Sequence, residues 1–254
     1  MLHVCYFLIA LQFLTRLPIP ARFQTVWGME DLRDSVHMFP LVGVLVGLVA
    51  GLVYASAVFC NLPPMMAAIL AVATQILMTG ALHEDGLADV CDGFGGGRTR
   101  EQKLEIMRDS RLGTYGAIGL ILSLGLRISA ISAIAQPEAV APALIAAAAL
   151  SRAAMPVAML RLPQARSEGL AASAGRPARW LVLVGVGFGI LVVFLCLPFL
   201  AAAVGIVMAV AVAWMFLALA QRQIAGITGD VLGGLQQTLE IIFLLSLLAM
   251  STAA

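Results

Sequence analysis

Long apolar runs separated by short polar segments make up most of the chain. Runs of this length predict helices that cross a lipid bilayer, because about 20 residues at 1.5 Å each span its hydrocarbon core. We expect about seven spans, with the fifth and sixth separated near Pro198. They cover residues 38–58, 64–82, 115–135, 139–160, 181–220 (as two spans) and 238–253. The expected fold class is all-α, a polytopic membrane helical bundle in which each helix satisfies its own backbone.

The composition also indicates a membrane protein. Hydrophobic residues make up 61% of the chain and charged residues 11%, whereas about a quarter of a soluble domain is charged. The spans use most of the 254 residues, so we expect one integral-membrane domain over residues 1–254. The short apolar segment 4–14 lacks the flanks of a cleavable signal peptide and is expected to be interfacial or re-entrant. Whether it crosses the bilayer is left open.

The basic residues indicate which way the spans face. Nearly all of the fifteen Lys and Arg residues lie before the first span or just after the second, fourth and sixth, and the opposite turns contain none. This asymmetry predicts that the charged segments face the cytoplasm. A net charge of +1 without a basic patch gives no reason to expect nucleic-acid binding. Four scattered cysteines predict neither a disulfide framework nor a metal site.

The sequence LHEDGLADVCDGFGGG (82–97) places four carboxylates beside a glycine cluster at the cytoplasmic end of the second span. If the helix continues, Asp85, Asp89 and Asp92 lie on one face within about 10 Å along the axis, and Glu84 points elsewhere. Three carboxylates this close repel one another unless a cation lies between them. Mg²⁺ is the expected cation, because it prefers carboxylate oxygens and bridges proteins to substrate phosphates. The alternative is a solvated helix end whose acids pair with basic residues downstream.

The segment EIMRDSRLGTYG (105–116) completes the predicted cytoplasmic active-site loop, about residues 83–114. Asp109 is a candidate fourth carboxylate, and Arg108 and Arg111 beside it are candidates for clamping phosphate. The same side chains could instead form an ordinary ion-pair group at the membrane surface. The neighbouring glycines either allow backbone amides to approach phosphate or form a flexible hinge.

Two arginines fall inside predicted spans. Counted from the cytoplasmic ends, Arg127 and Arg152 lie roughly 18 and 12 Å deep, so they are expected to face the bundle interior. Each could form a structural ion pair, with Glu240 as a candidate partner, or could bind an anionic ligand. Asp230, at the entrance of the last span, is either a further metal or base position or a helix N-cap. His83 could carry a proton or a hydrogen bond, although packing is the more common role of a lone histidine.

Five segments, spread from the N-terminus to the last span, form a recognisable set. They are FLTRLPIP (13–20), FPLVGVLVG (39–47), GALHEDGLADVCDGFGGG (80–97), IMRDSRLGTYG (106–116) and GITGDVLGG (226–234). Together they resemble the cobalamin synthase family, the adenosylcobinamide-GDP ribazoletransferases, most specifically over residues 80–116. Where that family is expected to carry a Glu seven residues after the late Asp, this chain has Gln237, so no role is assigned to that position.

The resemblance implies a reaction and its surroundings. Adenosylcobinamide phosphate would pass from its GDP-activated form to a hydroxyl of α-ribazole or its 5′-phosphate, giving adenosylcobalamin or its 5′-phosphate and GMP. Such a transfer needs mainly positioning and charge neutralisation from the protein. The implied partners are these small-molecule substrates and the lipid bilayer, and the implied location is the bacterial inner membrane with the active site facing the cytoplasm. The resemblance leaves open whether the chain forms a homo-oligomer.

The resemblance also implies roles for the acidic and basic residues. Mg²⁺ is the implied cofactor, held by Asp85, Asp89 and Asp92, with Asp109 as an additional ligand. Asp92, or else Asp89, is the implied catalytic residue that accepts the proton of the attacking hydroxyl. The implied substrate-binding residues are Glu84, Arg108, Arg111, Arg152 and Asp230.

Two other functions remain as alternatives. A CDP-alcohol phosphotransferase of lipid synthesis also binds metal through an Asp-Gly-rich motif, but its Asp-Gly-x-x-Ala-Arg core is absent, with Asp89 in place of the Arg. A membrane transporter is less favoured, because transport acids lie near mid-membrane in broken helices. A UbiA-type prenyltransferase is disfavoured, since a second Asp-rich motif is missing.

Overall fold

The computed structural model describes residues 2–19, 28–167 and 173–251, which are almost entirely helical. A single turn of 3₁₀-helix (Val36–Met38) joins α2 to α3. The helices, numbered in chain order, are α1 (Leu2–Leu14), α2 (Met29–Ser35), α3 (Phe39–Phe59), α4 (Pro64–Thr79), α5 (Leu82–Gly96), α6 (Arg100–Ile106), α7 (Thr114–Ile134), α8 (Pro137–Arg161), α9 (Arg179–Cys196), α10 (Phe199–Ile224) and α11 (Gly229–Ser251).

The predicted number of membrane spans is confirmed. Six stretches of helix are long and apolar enough to cross a bilayer, namely α2 with α3, α7, α8, α9, α10 and α11, and the pair α4 and α5 would make a seventh. The start predicted for the last span was wrong, because α11 begins at Gly229 and not at residue 238. Gln236, Gln237 and Glu240 interrupt the apolar pattern there, but all three face the bundle interior and are almost fully buried.

The second predicted span does not continue into the acidic segment. The chain breaks at Gly80 and Ala81, which have φ angles of 65° and 58°, and α5 leaves at 91° to α4. Arg16, the second residue after α1, lies at the break, because its amide donates to the Met78 carbonyl at 2.7 Å. A Cβ atom at Gly80 would lie 2.6 Å from the Arg16 side chain, so glycine suits both the conformation and the space. The acids therefore lie on a separate helix.

Helices α3 and α8 form a close antiparallel contact in the bundle core. Gly43, Gly47 and Gly51 recur every four residues along one face of α3. A Cβ atom at Gly43 would lie 2.3 Å from the Ala148 carbonyl oxygen, and one at Gly51 would lie 2.8 Å from Ala141. Small residues at this spacing let two helix backbones approach closely, which is how helices associate in lipid where the hydrophobic effect is weak.

The first helix is too short to cross a bilayer. The 13 residues of α1 rise about 20 Å, less than the 30 Å hydrocarbon core. One side of α1 is buried in the fold, since Ile9, Ala10 and Leu14 are at most 4% exposed. The helix packs against α2 and α3 near the ends of the spans that carry the basic residues. We call this end of the bundle, where α3, α7, α9 and α11 begin, the arginine-rich end.

The segments at the arginine-rich end are tied together by backbone hydrogen bonds. The Ala165 amide donates to the Ile227 carbonyl at 2.8 Å, and the Ile227 amide donates to the Pro163 carbonyl at 2.9 Å. Arg100 at the start of α6 donates to the Ile224 and Ala165 carbonyls. These bonds hold the segment after α8 against the start of α11 and so position the side chains described next.

Candidate active site

Helix α5 brings its acids to the start of α11. Gly86 allows the contact, because a Cβ atom there would lie 2.8 Å from the Asp230 carbonyl oxygen. A Cβ atom at Gly233, about one turn further along α11, would lie 3.2 Å from the His83 Cα. This packing of glycine against backbone places Asp230 beside Asp85 and Asp89, although 141 residues separate Asp89 from Asp230 in the sequence.

Asp85, Asp89 and Asp230 form what we call the acidic cluster. The negative charges of Asp230, Asp85 and Asp92 all act on Asp89, and the positive charge of Arg166 opposes them. Asp85 is exposed, whereas Asp89 and Asp230 are partly buried. The cluster therefore carries more negative charge than the protein neutralises, which is the situation in which a carboxylate group attracts a cation.

Asp92 has a different environment from the other two aspartates of α5. Its two carboxylate oxygens accept hydrogen bonds from the Gly113 and Gly116 amides, each at 2.8 Å. These amides belong to the first turn of α7, so Asp92 caps that helix and interacts favourably with its dipole. Only 8% of Asp92 is exposed. Its side chain thus joins α5 to α7 while Asp85 and Asp89 face Asp230.

Arg166 is the cation that faces the acidic cluster. Its Nη1 lies 3.5 Å from Asp230 Oδ2, and its Nη2 donates to the Leu104 carbonyl at 2.9 Å. Partial burial lowers the pKa of Arg166, while Asp230 acts in the opposite direction. Thr228 donates its hydroxyl to the same Asp230 oxygen at 3.1 Å. The sequence showed Arg166 only as one more cytoplasmic arginine, because no spacing rule connects residue 166 to residue 230.

The charged residues of the predicted active-site loop, Arg108, Asp109 and Arg111, lie at the surface. Arg111 binds both oxygens of Asp109 through its side chain, with the shortest contact at 2.6 Å. The Arg111 side chain is 87% exposed, and its hydrogen bonds lower the pKa of Asp109. Arg108 is also exposed, and its charge acts on Arg166. The charge of Arg108 therefore acts on the arginine that faces the acidic cluster, whereas Asp109 and Arg111 pair with each other.

A second group of charged residues lies inside the bundle, and we call it the buried network. Arg127, which is 1% exposed, donates from Nη1 to Glu84 and Gln237 and from Nη2 to Gln75 and Glu240, at 2.7 to 3.1 Å. Glu84 thus points away from the other acids of α5, as predicted. The expectation that Arg127 faces the bundle interior is confirmed, and Glu240 is its ion-pair partner at 3.1 Å.

Arg152 completes the buried network from α8. Its Nη1 lies 3.9 Å from Glu240 and donates to the Ala148 carbonyl at 3.1 Å. Gln236 donates to Glu240 at 2.5 Å and to Ser151 at 3.1 Å. Together with Gln75 and Gln237, Gln236 is a site residue that sequence reasoning did not assign. Three glutamines inside apolar spans were the available signal, since uncharged amides are rarely buried without partners.

A cleft opens between the acidic cluster and the first helices. Asp85, Asp230, His83 and Arg33 are the polar residues that line it. The rest of the wall is mostly apolar and includes Phe13, Phe39, Met155 and Met159. A mostly apolar cleft with a few polar groups at one side is typical of a small-molecule site.

The acidic side chains suit an open metal site that the substrate completes. Over residues 2–19, 28–167 and 173–251, no three His, Cys, Asp or Glu side chains converge closely enough to hold a metal by themselves. Mg²⁺, however, is commonly bound through one or two carboxylates and completed by substrate phosphates and water. The acidic cluster, with oxygen ligands and unbalanced negative charge, fits that open type of site and not a closed protein cage.

Comparison with known proteins gives a consistent result. The profile of the family described as Cobalamin-5-phosphate synthase matches residues 6–248. The chain is 49% identical over 237 residues to the adenosylcobinamide-GDP ribazoletransferase of Bradyrhizobium diazoefficiens, covering 93% of this chain and 90% of that protein. It is 43% identical over 246 residues to the enzyme of the same name from Azorhizobium caulinodans, covering 94% and 93%. No solved structure matches the chain.

Proposed function

Because the chain belongs to the cobalamin-5-phosphate synthase family, we propose that it is a membrane-embedded adenosylcobinamide-GDP ribazoletransferase. It joins adenosylcobinamide-GDP to α-ribazole or its 5′-phosphate and releases GMP. The structural observation that carries this proposal is the acidic cluster, in which three carboxylates from two helices face one arginine beside an apolar cleft. Relatives named adenosylcobinamide-GDP ribazoletransferase match at least nine-tenths of the chain.

The chemistry requires little covalent work from the protein. A ribazole hydroxyl oxygen attacks the phosphorus that bears the cobinamide, a new P–O bond forms, and the P–O bond to GMP breaks. The hydroxyl proton goes to a base, and GMP leaves with the electron pair of the broken bond. Catalysis of such a transfer consists mainly of positioning the reactants and stabilising charge on the transferred group.

Mg²⁺ is the cofactor that suits this site. One or two carboxylates among Asp85, Asp89 and Asp230 would hold it, and substrate phosphates and water would complete its ligands. When bound, it supplies positive charge that neutralises the phosphate oxygens. This assignment differs from the sequence-based one, because Asp230 replaces Asp92 among the ligands. The amide hydrogen bonds to Asp92 and the surface pairing of Asp109 favour structural roles for both side chains.

We assign the remaining roles from position. Asp89 accepts the proton of the attacking hydroxyl, since its carboxylate faces the cluster and is not used by backbone amides. Arg166 and Arg108 bind the phosphate oxygens of the GDP portion and stabilise the charge on departing GMP. Arg152 contributes to the buried network. The site faces the cytoplasm of a bacterial inner membrane, in keeping with the basic residues around it.

The deciding experiment measures GMP release by the purified protein supplied with adenosylcobinamide-GDP and α-ribazole, with and without Mg²⁺. We expect release to need the metal and to fall at least about 100-fold in Asp85→Asn and in Asp89→Asn, the scale of losing an essential charge-stabilising group. Glu138→Gln, which removes a carboxylate at the opposite end of the bundle, is the matched control and should keep wild-type activity.

Two results would contradict the proposal. Full activity in both aspartate variants would remove the acidic cluster from catalysis. Release of CMP from a CDP-alcohol, with no turnover of adenosylcobinamide-GDP, would instead support the lipid-synthesis alternative.

A further inference from the structure

His83 is a buried side chain without a hydrogen-bond partner. Only 1% of the residue is exposed, and neither Nδ1 nor Nε2 has a partner among the described residues. A buried polar group that makes no hydrogen bond costs free energy, and native proteins rarely leave one unsatisfied. The imidazole is therefore poised to bind something that is not part of the chain.

The position of His83 indicates where that ligand lies. His83 lines the cleft, two residues before Asp85 on α5. Its backbone is pressed against α11, where a Cβ atom at Gly233 would lie 3.2 Å from the His83 Cα. Both helices that carry the acidic cluster thus hold this side chain in place. A ligand that reaches His83 lies in the cleft, immediately beside the carboxylates.

The chemistry of the imidazole limits the kind of ligand group. Neither ring nitrogen of His83 hydrogen-bonds to a carboxylate of the described residues, and the charges that act on the ring are those of Arg152 and Arg127. A neutral imidazole has one N–H donor and one acceptor nitrogen. An alcohol matches this pair, because a hydroxyl group both donates and accepts a hydrogen bond.

The rest of the cleft limits the ligand further. Its wall is mostly apolar, with Phe13, Phe39, Met155 and Met159 among the lining residues. Arg33 also lines it, and its side chain is paired with Asp34 at 3.1 Å. Arg166 and Arg108, which we assign to the phosphates, are not among the residues that line it. An uncharged aromatic base attached to a hydroxyl-bearing sugar suits such a wall better than a pyrophosphate does.

We propose that the cleft binds the nucleoside acceptor and that His83 hydrogen-bonds a ribose hydroxyl of that nucleoside. This inference depends on the proposed function, because it takes α-ribazole as the acceptor. His83 is then a substrate-binding residue that orients the sugar beside the acidic cluster, where the attacking hydroxyl is deprotonated. The aromatic base packs against the apolar wall.

The test separates binding of the acceptor from binding of the donor. Full-length protein in detergent is titrated with α-ribazole and, separately, with adenosylcobinamide-GDP by calorimetry, and steady-state KM values are measured for both. His83→Phe keeps an aromatic ring but removes the hydrogen bonds, and His83→Asn keeps a donor and an acceptor. We expect His83→Phe to raise the Kd and KM for α-ribazole at least about 10-fold, the scale of one lost hydrogen bond in a buried site.

Binding of adenosylcobinamide-GDP, the donor substrate, is the internal control. The Kd for adenosylcobinamide-GDP should stay within about 2-fold in His83→Phe, and His83→Asn should recover part of the α-ribazole affinity. His3→Phe, which adds the same ring at an exposed histidine outside the cleft, should match wild type. If His83→Phe fails to fold, the ratio of the two KM values in His83→Asn decides the question.

The outcomes distinguish the two proposals. Wild-type protein that binds no α-ribazole and releases no GMP would overturn the proposed function. Wild-type protein that is active, with an unchanged α-ribazole Kd in folded His83→Phe, would overturn the role of His83 alone. An equal loss of affinity for both substrates would show that His83 supports the fold and does not contact the acceptor.

Discussion

The buried network and the acidic cluster both consist of carboxylates and arginines. The formal charges cancel in the network but not in the cluster. In the network, Arg127 and Arg152 face Glu84 and Glu240, so the formal charges cancel, and both terminal nitrogens of Arg127 are hydrogen-bonded. In the cluster, three carboxylates face one arginine, and a cleft opens beside them. Charges that a bundle buries must be paired. Charges left unbalanced at its edge are the ones available to a ligand.

The largest expected effect comes from unbalancing the network. Arg127→Met keeps the length of the side chain but leaves Glu84 and Glu240 buried without their cation. Removing one partner of a buried ion pair typically costs about 3–5 kcal/mol. We expect Arg127→Met to lower the unfolding midpoint in detergent sharply and to reduce the yield of folded protein.

A neutral version of the network sharpens this prediction. The combined variant Arg127→Met, Arg152→Met, Glu84→Gln and Glu240→Gln removes both carboxylates together with both cations. Its stability should recover most of the way to wild type, because replacing a whole buried ion pair by neutral groups costs little. A quadruple variant as unstable as Arg127→Met would show that the loss comes from packing and not from charge.

A smaller effect is expected at Asp92, which lies on the acidic helix but serves the fold. Asp92→Ala removes the acceptor of the Gly113 and Gly116 amides. Hydrogen bonds to a charged group contribute about 1.5–3 kcal/mol. We expect the unfolding midpoint to fall, with GMP release per folded molecule reduced far less than in Asp89→Asn. If Asp92→Ala keeps its stability but loses all activity, the sequence-based assignment of Asp92 as a metal ligand or general base would be supported instead.

Most of the fold could be predicted from the sequence because lipid imposes a simple rule. Apolar runs of 20 residues have few alternatives to a spanning helix, and the predicted spans match α3, α7, α8, α9 and α10 closely. The two misplaced boundaries have one cause, which is polar side chains within the bundle. The first half of α11 contains the buried amides of Gln236 and Gln237 together with Glu240. The break at Gly80 depends on Arg16, which precedes it by 64 positions in the sequence.

The candidate site could be predicted only where its residues are neighbours in sequence. The i, i+4, i+7 spacing identified the acids of α5, but helical spacing cannot tell which of them faces a solvent-accessible cleft and which caps another helix. Contacts between α5 and α11 decide this, through Gly86 and Gly233. Arg166 was missed for the same reason, since its position depends on the hydrogen bonds between Ala165 and Ile227.

The smallest expected effect concerns Asp109, which receives the same chemical change as Asp89. Asp109 is paired with Arg111 at the surface, and isolated surface ion pairs contribute little to stability. Asp109→Asn should therefore shift the unfolding midpoint by less than about 2 °C and leave GMP release within about 2-fold of wild type. Measured beside Asp89→Asn, it tests whether position in the cluster, and not loss of a carboxylate as such, determines the effect. A loss of activity in Asp109→Asn that excess Mg²⁺ restores would instead make Asp109 a metal ligand, and the loop before α7 would then have to close over the acidic cluster during the reaction.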